Sequence, residues 1–408
     1  MCDMTTRERR SIAWFLAAAL SVSVRSAAQP PSPPSSLALE PSLTTALVGG
    51  TLIDGTGAAP IRNAAVVIQG ERVVAAGPRD AVIVPDAARA IDVEDGTILP
   101  GFINAHVHGA YNLDRLEAWA QAGVTTVRDL STGIRPIPFA LRDQARQEPR
   151  YARLVVAGTM ITVPGGYPSA IWGVESLAVS SPEKARRAVD DLLDQGADVI
   201  KIAVESGADF GRVLPMLSPE QIAAIVDEAH RRGTRVSAHV LVAADLALAV
   251  DGGVDDIAHM VTDYLPAGLI GRMLADDVYW VPTLELWENV GHGRADLAVR
   301  NLSTFAAAGG KTALGTDFAG YTTPFQLGMP MIEVELMSEA GMSPMQIIVA
   351  ATRNAAHVCN LEEDLGTLEA GKMADILVID GDPLEDLHTL SNVRWVIHGG
   401  TVIRSPSP

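Results

Sequence analysis

Eight apolar, strand-like runs recur through the middle of this chain, each separated from the next by a helical stretch: ILPGFINA, VTTVRD, RLVVAG, DVIKIAV, TRVSAHV, VDDIAHM, VYWVPTL and KTALGTD. That alternation is the pattern of repeated βα units around a parallel sheet. Two of the intervening segments, SPEKARRAVDDLLDQG and SPEQIAAIVDEAHRRG, open on a capping Ser and close at Gly, as well-formed helices do. Eight such repeats predict an α/β protein built on a (β/α)8 TIM barrel. An open doubly wound sheet is the competing architecture, but no Gly-rich dinucleotide fingerprint opens any of the helices. Shorter β-type runs punctuated by Gly and Asp-Gly occupy residues 45–98 and 366–408, which predicts a small β-sandwich domain assembled from both chain ends around a barrel at 99–365.

The chemistry-bearing residues fall at the ends of those runs. His106 and His108 alternate with Val107, so a strand would send both imidazoles to one side, as a divalent ion requires. His239 ends the fifth run, His259 the sixth and Asp317 the eighth, where barrel strands present their catalytic ends. Lys201 lies inside DVIKIAV, pointing toward an interior where a charged amine is costly to bury. It is either a snorkelling or ion-paired lysine, or a neutral amine that captures carbon dioxide as a carbamate and bridges two metals. The remaining histidines, His230, His357, His388 and His398, read as structural, whereas His292 sits in a loop after the seventh run from which it could reach a substrate. Arg128 either binds an anionic substrate or pairs with its neighbour Asp129, and the ion pair is the expectation.

Taken together, FINAHVH, VIKI, SAHV, IAHM and LGTD resemble the amidohydrolase superfamily with a binuclear metal centre. The flanking VGGTLIDGTG, ATRNAAHV and LEAGKMADILVIDGDPL resemble its imidazolonepropionase-like and Xaa-Pro dipeptidase-like branch. The resemblance implies two divalent ions, expected to be zinc. His106, His108 and Asp317 would hold one, His239 and His259 the other, with carbamylated Lys201 bridging. It further implies attack by a metal-bridging hydroxide on a carbonyl, with Asp317 as the catalytic proton carrier. In dipeptidase relatives a Gly-Gly-His histidine and a tyrosine after the fifth-strand histidine hold the substrate carboxylate. Here Tyr167 stands at the first place, and Val240 and Leu241 are not aromatic, so dipeptide specificity does not carry over, and Tyr167 is either a candidate substrate contact or an ordinary loop-packing residue. The expected activity is hydrolysis of an amide bond in a small molecule such as a dipeptide or N-acyl amino acid. A lactone, cyclic amide or phosphoester is the alternative on the same centre, and a metal-free binding scaffold is the non-enzymatic one.

A formal charge of −18 argues against nucleic acid as a partner. At the N-terminus Arg7, Arg9 and Arg10 precede the apolar run from Ile12 to Val24, followed by the small residues Ser26, Ala27 and Ala28. Residues 1–28 therefore read as an export signal, by the secretory or twin-arginine route, with a Pro/Ser-rich linker over 29–44 and a periplasmic or secreted mature protein without a stable membrane anchor. The partner expected is a small-molecule substrate, and self-association is left open. Of the two cysteines only Cys359 would survive processing, which excludes an internal disulfide in the mature chain.

Overall fold

The computed structural model describes residues 44–133, 137, 139–290, 293–319 and 325–406. The expected signal segment lies outside the described residues, as do His292 and nearly all of the linker. Strands β1 (Thr44–Leu52), β2 (Ile61–Gln69), β3 (Arg72–Pro78), β4 (Arg89–Asp92) and β5 (Thr97–Pro100) open the fold. Strands β6 (Phe102–Val107), β7 (Val124–Asp129), β8 (Arg153–Val156), β9 (Ile161–Thr162), β10 (Leu177–Ala178), β11 (Ile200–Ala203), β12 (Val236–His239), β13 (Asp256–Ala258) and β14 (Tyr279–Val281) follow, and β15 (Ile376–Ile379), β16 (Val393–His398) and β17 (Thr401–Arg404) close it.

The two chain ends register in one mixed sheet, ordered β17-β16-β15-β5-β1-β2-β3 with β4 paired to β1. Antiparallel pairing of β15 with β5, Val378 opposite Ile98, joins the C-terminal piece to the N-terminal one. Leu47, Val66, Ile98, Ile376 and Ile397 pack there in a core of their own. The run ILPGFINA is thus two strands rather than one. It divides at Gly101, where a Cβ would lie 2.3 Å from the Thr125 hydroxyl, so only glycine lets the chain pass from one sheet to the other.

The central region is α/β, with parallel strands alternating with helices. Strands β6-β7-β8 form one sheet and β10-β9-β11-β12-β13-β14 another. Helix Pro182–Asp194 is capped by Ser181, and helix Pro219–Arg231 carries a full capping box between Ser218 and Gln221. Their buried faces, Val189 and Leu192 on one, Ile222 and Ile225 on the other, pack into the main core. The eighth run departs from expectation: it is no ladder strand but makes isolated parallel bridges, Thr312 to Trp280 and Phe318 to Val107. Its carbonyls still accept from the neighbouring strands, Leu314 O from Ala105 N at 2.8 Å and Lys311 O from Trp280 N at 2.9 Å. Glycine is required on this path at Gly315, since a Cβ there would sit 2.4 Å from Val281 and 2.9 Å from the His106 backbone nitrogen.

Arg128 corrects one expectation. Its guanidinium makes a two-pronged pair with Asp256 on β13, both bonds 2.9 Å, not with Asp129. Adjacent strand residues face opposite sides, so Arg128 enters the interior while Asp129 accepts the Ala110 and Ser131 N–H groups. The expected structural histidines behave so: His230 meets Asp255, His357 meets Glu362, and His398 bonds the Pro149 carbonyl. His388, largely exposed, lies 3.6 Å from Glu335. Cys359 is a buried free thiol. Among the described residues, no helix is long and apolar enough to cross a membrane.

Candidate metal centre

His106 is the fifth residue of β6 and is fully buried, while His108 follows the strand with its side chain 24% exposed. Their Nε2 atoms face each other at 3.4 Å, as the two-residue period requires. Asp317 Oδ1 lies 3.1 Å from both. Asn104 builds that approach: its Oδ1 accepts from the backbone of His106 and Thr316, and its Nδ2 donates to Thr316 Oγ1 at 2.9 Å. Asp317 N then donates to His106 O, and Asp317 turns toward the imidazoles through a left-handed backbone (φ 61).

His239 is the last residue of β12, and His259 follows β13 with φ 72. Their ring centroids are 4.8 Å apart, and His259 lies at the same separation from His106. Ligand atoms of His106, His259 and Asp317 fall within 4.8 Å of one another. Lys201, on β11, is completely buried, and its Nζ has no hydrogen-bond partner among the described residues. The structure therefore gathers the imidazoles and the carboxylate at the carboxyl ends of the parallel strands, with Lys201 buried within β11 near enough for its charge to act on His106 and His239.

Three residues that sequence reasoning did not single out complete the surroundings. Thr283 Oγ1 sits 2.9 Å from His259 Nδ1. Glu205, just beyond β11, is buried with Oε2 3.7 Å from His239 Nε2. Phe210 stacks on Tyr167. The carboxylate directly after an apolar strand was the one sequence signal for Glu205, whereas Thr283 carried none. Tyr167, the candidate substrate contact, stacks face to face on His239, with centroids 4.1 Å apart and planes at 15°.

Burial sets the protonation states. It lowers His106 and His239 to about 3, with the Lys201 charge adding to the effect, and takes His259 well below its ordinary value. Burial also lowers Lys201 to about 7, opposed by Asp256 and reinforced by Arg128. On Asp317 burial acts upward, yet His106 and the other imidazoles hold it well below the usual carboxylate range. Burial pulls His108 down too, but contact with Asp317 leaves it raised. Near neutral pH His106, His239 and His259 thus offer neutral imidazole lone pairs beside an ionised carboxylate.

A metal ion fits these residues. Lys201 Nζ and Asp317 Oδ1 are buried without hydrogen-bond partners among the described residues, and the Nε2 atoms of His106 and His108 converge on that carboxylate oxygen. Buried polar atoms left in that state cost free energy unless something else occupies them. Imidazole nitrogen with carboxylate oxygen is a donor set suited to zinc and similar dications.

The fold, the site and the family and relatives that this chain matches together define an enzyme, a hydrolase of carbon–nitrogen bonds. Residues 97–403 match the amidohydrolase family, and the chain belongs to it. Members of this superfamily generally carry a binuclear metal centre. The chain is similar to the ochratoxinase of Aspergillus niger, 26% identical over 89% of this chain and 87% of that one. It is similar to the imidazolonepropionase of Bdellovibrio bacteriovorus, 26% identical over 79% and 84% of the two. Among solved structures, a Xaa-Pro dipeptidase with methionine in its active site superposes with a TM-score of 0.77 at 26% identity, covering 89% of this chain and all of that one.

Proposed function

We propose that the protein is an exported hydrolase that cleaves an amide bond in a small molecule, such as a dipeptide or an N-acyl amino acid, on a centre of two divalent ions. The convergence of His106, His259 and Asp317 to within 4.8 Å, among buried donors without partners, carries this reading. In it His106, His108 and Asp317 hold one ion and His239 and His259 the other. Strands β6, β7, β8, β11, β12, β13 and β14 and the segment 311–318 close into one eight-stranded barrel around them, and the end sheet folds over as a sandwich. Zinc is the ion the donor set favours.

Bound dications supply a water acidic enough to ionise near neutral pH and positive charge beside the substrate carbonyl. With its amine lowered to about 7 by burial, Lys201 is in part neutral near neutral pH and able to add to carbon dioxide: a nitrogen–carbon bond would form, one proton would leave, and the resulting carbamate would be an anionic ligand for both ions. Asp317 takes the proton of the attacking water at its carboxylate and delivers it to the leaving nitrogen. Tyr167, stacked on His239, both packs that imidazole and lines the approach to it. The acidic balance of the chain suits a small-molecule partner and disfavours nucleic acid. Export rests on residues 1–28 and would place the mature protein in the periplasm or medium, which N-terminal sequencing of the mature form tests.

The deciding experiment is a mass-spectrometric hydrolysis screen of zinc-loaded protein against dipeptides, N-acyl amino acids, lactones and phosphoesters, with Asp317→Asn as control. Cleavage of amides that falls about 10²- to 10⁴-fold in the variant is the expected outcome. Turnover confined to lactones or phosphoesters would overturn the amide reading, and turnover unchanged in Asp317→Asn would remove Asp317 from its role.

A further inference from the structure

Glu205 is an ionisable side chain with 1% exposure, and the mechanism above assigns it nothing. Its two oxygens are unequal. Oε1 accepts the Gly207 N–H at 2.7 Å, while Oε2 is buried without a hydrogen-bond partner among the described residues. His239 Nε2 lies 3.7 Å from that oxygen and is itself buried without a partner among the described residues. Two facing orphans, one an acceptor and one able to donate, lie one small ring rotation from a hydrogen bond.

The neighbourhood holds this arrangement in place. Gly207 has φ 85, and a Cβ there would strike Leu214 at 2.7 Å, so the turn that presents its N–H to Glu205 requires glycine. Asp245 accepts both the backbone N–H and the hydroxyl of Ser206, each at 2.8 Å, pinning the residue between. On its other side the His239 ring is stacked against Tyr167. The imidazole is therefore fixed in plane by Tyr167 and faced along one edge by Glu205.

We propose that Glu205 is a positioning residue that sets the tautomer of His239: Oε2 accepts a proton-bearing Nε2, which leaves Nδ1 as the nitrogen with a free lone pair for a metal ion. This rests on the metal reading of the site. A metal-bound histidine commonly donates its other N–H to a carboxylate, and loss of such a partner costs about 10- to 100-fold in metal affinity.

The inference makes an unusual demand of Glu205→Gln. The Gly207 N–H still needs an acceptor, so the amide oxygen stays with it and the NH2 group turns to His239. An NH2 group facing Nε2 favours the opposite tautomer, with the proton on Nδ1. The test is nitrogen-15 NMR of histidine-labelled, metal-free protein, with a His239→Gln spectrum for assignment, followed by zinc titration. The expected result is an Nε2–H tautomer for wild type, an Nδ1–H tautomer for Glu205→Gln, and a 10- to 100-fold weaker second zinc with the first unchanged. The same tautomer in both proteins overturns the proposal, whatever the zinc data show. A tautomer switch in a wild type that takes up no second zinc would support Glu205's role while sinking the two-ion reading. Should the Gln variant not fold, Glu205→Ala serves: loss of the Nε2–H preference is expected, and its retention would refute the proposal.

Discussion

Thr283 Oγ1 lies 2.9 Å from His259 Nδ1, and both residues hold left-handed backbone conformations, φ 49 and φ 72. For a β-branched residue such as Thr283 that conformation is uncommon and costs on the order of 1–3 kcal/mol. The Glu333 carboxylate, which accepts the Glu285 N–H at 2.8 Å, braces the turn that follows. The arrangement fixes His259 with its Nε2 turned away from Thr283. Thr283→Ala is expected to weaken metal binding about 10- to 100-fold. Zinc competition against a chelator measures it, and an unchanged affinity would show the contact to be incidental.

The Arg128–Asp256 pair lies wholly inside the protein, with Ser237 Oγ donating to the same carboxylate at 2.7 Å. Arg128→Met would leave Asp256 buried and uncompensated, at a cost of about 3–5 kcal/mol. Arg128→Met combined with Asp256→Leu should recover much of that loss. Urea unfolding of the single and double variants reads the difference, and equal stabilities would count against an uncompensated charge.

Acid should destabilise the metal-stripped protein through its buried histidines. His106 and His239 stay neutral down to about pH 3 in the folded chain but gain a proton near their ordinary value of 6.5 when unfolded. The unfolded state binds more protons between those limits, so stability falls as pH drops from about 6.5 toward 3. The slope is at most about 1.4 kcal/mol per pH unit for each histidine. His239→Gln should flatten the profile when urea midpoints are compared across that range.

Glu285 and Glu333 predict the reverse dependence. Burial raises their carboxyls to about 7 and about 8 from an ordinary 4.5, and each keeps one buried oxygen without a hydrogen-bond partner among the described residues. The folded chain retains protons that the unfolded chain releases, so their contribution is complete below about pH 4.5 and lost as pH rises toward 8. Glu333→Gln removes that titration, keeps a carbonyl for the Glu285 N–H and adds a donor. It should raise stability by about 1–3 kcal/mol at pH 8 and give no gain at pH 4, as thermal unfolding at the two pH values would report.

Much of this protein follows from local rules that act over a few residues. The period of two placed His106 and His108 on one side of β6, and capping serines set the starts of helices Pro182–Asp194 and Pro219–Arg231. Apolar runs between helices gave the parallel strands, and the strand-end positions of His239, His259 and Asp317 marked the site. Other features needed the folded chain. Arg128 passes over its neighbour for a carboxylate 128 positions away. Gly315 threads between Val281 and His106 where no side chain would fit. Glu205 meets His239, and Thr283 meets His259, across different strands. Periodicity and capping depend on neighbours in sequence, so the chain itself determined them. The partner of a buried polar group depends on which distant strand end is brought beside it, and that was decided only by tertiary packing.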